Sequence, residues 1–531
     1  MELVKKNVHM TRSKGKSVTQ LTLDNDFNVP DIKEDIDYIM KDKGEILIEY
    51  IQPMEGKALV RGRLEFKVLY ASGEKDHFIH CIKEEIPFEE IINMEGLSED
   101  DAISAYWEIE DLSTGIINSR KYNVKAIVTI VADVEYLYDE MIPIDIKGDE
   151  TVQYMKCPMD ITPIAIHKKD IHRIKDEIEI SGNKQNISEL LWSDAQLRSI
   201  ETRPLEDKIQ LRGEIYLFVL YLGEDESNSI QWSENTIPFN NLIECNGARE
   251  DMVPNITCHL SGKDPEVRTD YDGEMRVIGV DYVLEMDVKL YEEEQIDVVS
   301  DIYSATMDLE SITKDMAYES LVMKNVSKCR TNDKLKISGN QPKILQICHS
   351  GGVVKVDDVR IVQDGLQIEG VVYASLLYIT LDDKQPMHSI EGVLPFTHKI
   401  QVTDIDENCT YQLQNSLEQL NAVMLNGEEI ELKAVIVLDA LVLRTKKEPM
   451  LVDIKSKPYD MKKIQSMPGI IGYVVKTDDS LWKIAKNYYT TVDSIKYLND
   501  LSDERIKPGD KLVLMKKVEE IDFNYNISEM L

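Results

Sequence analysis

The sequence predicts a mainly β protein, with three tandem antiparallel β-sandwich or half-barrel repeat domains followed by a small domain of strand–helix–helix–strand order. Three observations predict this fold class. A glycine and a later Pro-Phe pair recur three times at one spacing, and the segments around them alternate apolar and polar residues. Near the carboxyl end, the alternation gives way to apolar residues at helical spacing.

The repeat is defined by landmarks at equal intervals. Each copy has a glycine eight residues before a tyrosine and 25 residues before a proline. The glycines are Gly62, Gly213 and Gly370, the tyrosines are Tyr70, Tyr221 and Tyr378, and the prolines lie in Ile86-Pro87-Phe88, Ile237-Pro238-Phe239 and Leu394-Pro395-Phe396. Apolar strand pairs follow at 124–136, 277–291 and 432–443. We expect each glycine to mark a bulge or a close backbone approach, and each proline a strand start or an edge strand.

These landmarks divide the chain into domains that we expect to bury their own cores. The predicted boundaries are repeat domains at 1–150, 151–318 and 319–455, a linker at 456–469, a C-terminal module at 470–517 and an acidic tail at 518–531. Linkers are also expected near 149–167 and 301–318. The last linker is basic and flanked by Pro458 and Pro468, which predicts a flexible tether. A short helix is predicted at 186–197.

Composition narrows the function classes. The net charge of −36 argues against binding to nucleic acid or, by charge alone, to an anionic membrane. The C-terminal module differs from this acidic average, because it has nine Lys/Arg against seven Asp/Glu and so carries a small net positive charge. Seven cysteines without a C-x-x-C pair suit a reducing compartment. Since no apolar run reaches the roughly 20 residues of a membrane span and no signal-peptide core is visible, we expect a cytoplasmic protein.

Catalytic and metal-binding patterns are weak. His77 and His80 could bind a metal, but in an extended segment their side chains would point apart, so a surface pair is the better interpretation. Gly15-Lys16-Ser17 resembles the end of a phosphate-binding loop, but Met10 stands where its first glycine is required. We therefore expect no enzyme activity, no metal and no cofactor.

The C-terminal module resembles a LysM domain. The resemblance is carried by the run Ser480-Leu-Trp482-Lys-Ile-Ala485, by Leu498-Asn499 and by the ending Pro508-Gly-Asp-Lys-Leu512. It implies a binding domain, and most LysM domains hold N-acetylglucosamine glycans in a groove between two loops, here 477–481 and 499–508. LysM sequences usually have Gly-Asp where this chain has Asp478-Asp479, and a side chain there argues against close approach of a glycan.

The candidate partner-binding residues lie in and beside this groove. They are Asp478, Asp479, Ser480, Trp482, Tyr488, Tyr489, Asn499, Leu501, Ile506 and Pro508. Trp482 is interpreted mainly as a core residue of the module, with direct partner contact as the alternative. Tyr488, Tyr489 and Tyr497 are more tyrosines than so small a core needs, so we expect one or two to be exposed. Tyr489 stands where many LysM sequences have Gly or Asn.

Three such β repeats followed by one LysM domain resemble the clostridial SipL proteins, which are functionally similar to the SpoVID proteins of bacilli. The resemblance implies a coat morphogenetic scaffold in the mother-cell cytoplasm at the forespore surface. Its LysM domain would dock on the SpoIVA-type basement-layer ATPase, and other coat proteins or a second copy of the chain would be further partners. The alternative is a peptidoglycan- or N-acetylglucosamine-binding protein of the cell or spore envelope.

Overall fold

A computed structural model describes residues 2–516 except 74–78, 149–150, 226–228, 305–306, 338, 340, 383–384, 459–461 and 463–465, and it describes only the backbone at 11–13, 135 and 137. The acidic tail predicted at 518–531 and His77 lie outside these residues. Within them the chain is almost entirely β, as predicted.

Repeats 1 and 3 are each a sandwich of two antiparallel three-stranded sheets. In repeat 1 the first sheet consists of β2 (Ile36–Met54), β3 (Lys57–Ser72) and β4 (Ile79–Asn93). The second sheet consists of β1 (Glu2–Asn28), β6 (Lys121–Lys147) and β5 (Ile103–Asn118). In repeat 3 the first sheet consists of β17 (Ile344–Val362), β18 (Gly365–Thr380) and β19 (Met387–Gln401). The second sheet consists of β16 (Asp308–Lys336), β21 (Glu429–Lys457) and β20 (Cys409–Asn426). Each sheet is given in spatial order, and the central strands β3, β6, β18 and β21 supply most of the two cores.

Repeat 2 follows the same plan with broken strands. Its first sheet is β9 (Ile187–Leu205), β10 (Lys208–Gly223), β11 (Ile230–Glu244). Its second sheet has β14 (Met275–Tyr291) between β8 (Ile164–Glu179) on one side and β12 (Val253–Gly262) with β13 (Glu266–Thr269) on the other. The strands β7 (Val152–Ile161) and β15 (Glu294–Ser304) form a separate pair.

The repeated glycine lies beside a bulge, as predicted, and a phenylalanine ring of the neighbouring strand approaches it closely. Gly62, Gly213 and Gly370 lie opposite Phe88, Phe239 and Phe396 in the neighbouring strands. The ladder on the glycine's other side is bulged in all three repeats. A Cβ at these glycines would lie 2.9, 2.6 and 2.9 Å from the phenylalanine Cζ atoms. The prolines lie in β4, β11 and β19, which are edge strands as predicted.

Two expectations are wrong. Residues 186–197 belong almost entirely to strand β9 and not to a helix, because two bulges opposite Leu220–Gly223 insert extra residues and make the apolar spacing resemble helical spacing. The linkers expected at 149–167 and 301–318 are mostly strands, which belong to β7, β8, β15 and β16. Their charged exposed faces gave them a linker-like composition.

The paired first and last strands of each repeat continue beyond the sandwich as a two-stranded ribbon. A bulge at Ser13/Gly15, the break between β7 and β8, and a bulge at Leu321/Met323 mark where the ribbons begin. The ribbons pack together in one apolar cluster: Val8, Met10, Ile142, Met159, Ile161, Ile296, Val298, Met316, Tyr318 and Met450. This cluster contains residues of all three repeats.

A second shared core, which we call the junction, joins the first sheets of the three repeats. It contains the equivalent leucines Leu69, Leu220 and Leu377, each one residue before the repeated tyrosine. The tyrosines Tyr70, Tyr221 and Tyr378 point the other way, into the core of their own repeat. The end of this strand is therefore buried on both faces.

The C-terminal module has strand β22 (Ile470–Val474), helix α1 (Leu481–Asn487), helix α2 (Val492–Leu498) and strand β23 (Lys511–Met515). The two strands pair antiparallel. Ser480 and Thr491 cap the helices, since their side chains accept from the Lys483 and Ser494 amides. The predicted strand–helix–helix–strand order is confirmed.

Candidate functional site

The loop before α1 is organised by Asp479. Its Oδ2 accepts hydrogen bonds from the Tyr473 hydroxyl at 2.6 Å and from the Lys476 amide at 2.8 Å. The hydrogen bond from Tyr473, followed by that from the Lys476 amide, lowers the pKa of Asp479. Asp479 and the helix cap Ser480 therefore hold the loop, whereas Asp478 projects into solvent.

Both departures from the usual LysM pattern occur at left-handed backbone positions. Asp478 has φ +67° and Tyr489 has φ +54°. Glycine adopts this conformation without steric cost, and asparagine and aspartate tolerate it better than most residues do. The geometry explains why Gly or Asn is common at these positions, and it shows that this chain keeps the loop shape while adding side chains.

Most of the second candidate loop has a structural role. Asn499 donates to the Ile495 and Val513 carbonyls, both at 2.8 Å, and accepts from the Val513 amide at 2.7 Å. Leu501 and Ile506 are half-buried against the module core. Pro508 is exposed and precedes Gly509, whose φ of +97° makes the turn into β23.

The tyrosines differ in exposure. Tyr488 ends α1 and packs edge-to-face on Tyr473, with ring centroids 5.3 Å apart. Tyr489 is half-buried, and Tyr497 on α2 is exposed, as expected for at least one of the three.

Trp482 packs at the edge of the module core and also makes a contact that the sequence did not predict. The module core consists of Val475, Leu481, Ile484, Ala485, Ile495, Leu512 and Leu514, and Trp482 is only partly buried beside it. Its indole Nε1 donates to Asp301 Oδ2 at 2.8 Å, and its ring meets Tyr303 edge-to-face at 4.8 Å. Trp482 thus contacts the ribbon of repeat 2.

Sequence reasoning missed an apolar surface on the module. Alternate residues of β22 and β23 point away from the helices, and Ile470, Val474, Val513 and Met515 are 44–66% exposed there. Ile470 lies opposite Met515, and Gly472 lies opposite Val513, so the four side chains form one continuous outer face. Both strands are apolar on both faces, a pattern typical of strands covered on both sides, and this signal could have revealed the face.

Family models match four segments of the chain. The SipL, SPOCS domain model matches residues 35–117, 186–264 and 343–425, and the LysM domain model matches residues 473–514. The chain has the SipL architecture, with three SPOCS domains and one LysM domain. Each SPOCS match begins next to the strand before the repeated glycine. It ends in β5 in repeat 1, between β12 and β13 in repeat 2, and in β20 in repeat 3. No curated protein and no solved structure matches the chain.

The domain assignment defines the general class of this protein. With three SPOCS domains and a LysM domain, it is a spore-coat-associated protein built from binding and scaffold families. In the described part of the chain, no group of three or more His, Cys, Asp or Glu residues is placed to hold a metal ion. None of the described helices is long and apolar enough to cross a membrane.

Proposed function

We propose that this protein is a non-enzymatic scaffold of spore coat assembly whose LysM domain docks on the SpoIVA-type basement-layer ATPase. It would act in the mother-cell cytoplasm at the forespore surface, where the repeats would hold further coat proteins. The support comes from the domain architecture and from the outer face of the LysM sheet.

The outer face is the observation that carries the proposal. A contiguous patch of exposed apolar residues is a common feature of protein-binding surfaces. The basic side chain of Lys511 borders the face next to Val474, and none of the outward residues of the two strands is acidic. An apolar face with a basic border suits a protein partner better than a glycan. The exposed loop residues Asp478, Ser480 and Pro508 would contribute to the edge of this contact.

The test is a binding assay with the full chain and the purified ATPase. Val513→Glu places a charge at the centre of the outer face, and we expect it to weaken binding at least tenfold. Val423→Glu is the matched control, because this valine is 48% exposed on a strand of repeat 3 and Val513 is 45% exposed. Equal binding by the Val513→Glu variant and the unmodified chain would contradict the proposed surface.

Sedimentation with peptidoglycan tests the alternative function. We expect the full chain to remain in the supernatant. If it sediments and N-acetylglucosamine oligomers release it, the envelope glycan-binding function is correct and the scaffold proposal fails.

A further inference from the structure

The LysM domain contacts the ribbon of repeat 2 through the carboxylate of one residue, Asp301. Asp301 accepts from Trp482 Nε1 at 2.8 Å and from Lys486 Nζ at 2.6 Å, so one acidic residue binds two side chains of α1. Tyr303, two residues later, is 4% exposed and belongs to the same apolar cluster as the LysM core. An acid and an aromatic ring on one strand together cover this face of the helix.

Each of the three ribbons has a tripeptide that begins with Asp-Ile at the equivalent position. The ribbons contain Asp145-Ile146-Lys147, Asp301-Ile302-Tyr303 and Asp453-Ile454-Lys455. Each aspartate follows a bulge, and its Oδ1 accepts from the next backbone amide at 3.0, 2.9 and 2.8 Å. The three sites therefore share one backbone geometry. They differ at the third position, which is tyrosine only in repeat 2.

This difference explains which ribbon the LysM domain selects. A lysine in place of Tyr303 would bring a positive charge towards Lys486 and would remove the ring that packs on Trp482. The Asp145 carboxylate already accepts from the Tyr154 hydroxyl at 2.7 Å and lies 3.4 Å from Lys156 Nζ. The strand end at Asp453 has Lys455 in place of the tyrosine. Charge and aromatic packing together distinguish the strand end of repeat 2 from the other two, which share its backbone geometry.

We propose that the α1 face of the LysM domain is a binding site for a strand end with the pattern Asp-x-Tyr, which this chain fills with its own Asp301 and Tyr303. A short linker gives the domain a millimolar effective concentration at the ribbon. A contact that would be weak between separate molecules is therefore formed most of the time within this chain. The site is distinct from the outer sheet face and does not rest on the proposed function. The LysM domain is held on the body of the molecule and does not move freely on its tether.

Zero-length cross-linking of the full chain tests this docking. A carbodiimide joins a carboxylate to an amine in direct contact, so the unmodified chain should give an Asp301–Lys486 cross-link within the monomer. The Glu310–Lys457 pair of the repeat 3 ribbon, at 2.7 Å, is the internal reference. Absence of the first cross-link while the reference forms would overturn the proposal, and its appearance only in dimers would do the same.

Variants that keep both cross-linking residues test the recognition pattern. Tyr303→Lys gives repeat 2 the residue of the other ribbons, and we expect the Asp301–Lys486 yield to fall about tenfold with the reference unchanged. Tyr303→Ser removes the ring without adding charge and should act in the same direction. Asp453→Ala is the matched control at the equivalent position, and its yield should equal that of the unmodified chain. Unchanged yield in both Tyr303 variants would show that the pattern is not what holds the domain.

Discussion

At each repeated glycine, the space of the missing side chain is filled by a phenylalanine ring from the neighbouring strand. At Gly370 a Cβ would lie 2.3 Å from the Lys355 carbonyl oxygen and 2.9 Å from the Phe396 ring. The backbone oxygen belongs to the bulged strand β17 and cannot rotate away. The constant spacing of the glycine and the Pro-Phe pair follows from this cross-strand contact.

Gly370→Ala should therefore lower the free energy of unfolding by about 1–3 kcal/mol, because the added methyl group overpacks a closed site. Gly115→Ala is the control, since a Cβ there meets no atom within 4 Å, and it should be neutral or slightly stabilising. Denaturant unfolding of the two variants measures the difference. Equal stability would contradict the close packing at Gly370.

The junction contains a buried acid at a position where the other repeats have different residues. Asp194 accepts from Lys43 and from His349, whose Nε2 lies 3.0 Å away, and the His349 ring stacks on Phe218 with centroids 4.0 Å apart. Lys43, Asp194 and Gly351 occupy equivalent places in the three repeats. A Cβ at Gly351 would lie 3.0 Å from both the carboxylate and the imidazole. The three repeats are thus complementary and not interchangeable.

This cluster predicts a loss of stability on acidification. Burial lowers the pKa of His349 despite Asp194, so below pH about 6.5 the unfolded chain takes up a proton that the folded chain does not. Burial alone would raise the pKa of Asp194, but Lys43 and His349 hold it far below its usual range. The stabilisation by Asp194 therefore persists down to pH about 4 and is lost below it.

His349→Gln should make the free energy of unfolding fall less steeply between pH 7 and pH 5. The difference can reach about 1.4 kcal/mol per pH unit, the limit for one proton. His259→Gln is the control, because His259 is exposed on β12 and forms no ion pair with the described carboxylates. Denaturant titrations at several pH values give the slopes, and parallel curves for the unmodified chain and His349→Gln would refute the assignment.

At the scale of elements, Asn499 joins helix α2 to the free edge of β23 by three hydrogen bonds. Asn499→Ala should destabilise the LysM domain by about 1.5–4.5 kcal/mol, at roughly 0.5–1.5 kcal/mol for each of the three bonds. Amide hydrogen exchange at Leu512 and Leu514 in the full chain reports this loss. Asn487→Ala, at the exposed end of α1, is the control and should leave exchange unchanged. A binding-only role for Asn499 predicts no change in either variant.

The elements differ in how far the sequence predicted them. The landmark strands and the LysM fold were predictable, because equal spacing and helix caps depend on local geometry. The helix predicted at 186–197 is wrong because two bulges disturb the alternation of strand β9 there. The contact of Trp482 with Asp301 could not be predicted, since Asp301 lies 181 residues earlier in the chain. Nothing in the sequence distinguishes this aspartate from the many other acidic residues.

At the scale of the whole molecule, the three repeats share two cores, the junction and the ribbon cluster. Each repeat also has its own core, which agrees with the expectation from sequence. The shared apolar residues would be exposed in any repeat that folded alone. We therefore expect the body to unfold as one unit and not as three independent domains.

Leu220→Ala tests this expectation, because Leu220 is fully buried in the junction, whose residues come from all three repeats. A buried Leu→Ala change costs about 2–5 kcal/mol, and in a cooperative body that loss speeds amide exchange in all three repeats. Leu242→Ala is the control on the same repeat, since Leu242 is 58% exposed. Exchange that accelerates only between residues 187 and 291 would show that repeat 2 unfolds by itself. Faster exchange in β3 and β18 as well would show that the junction makes the three repeats one cooperative scaffold.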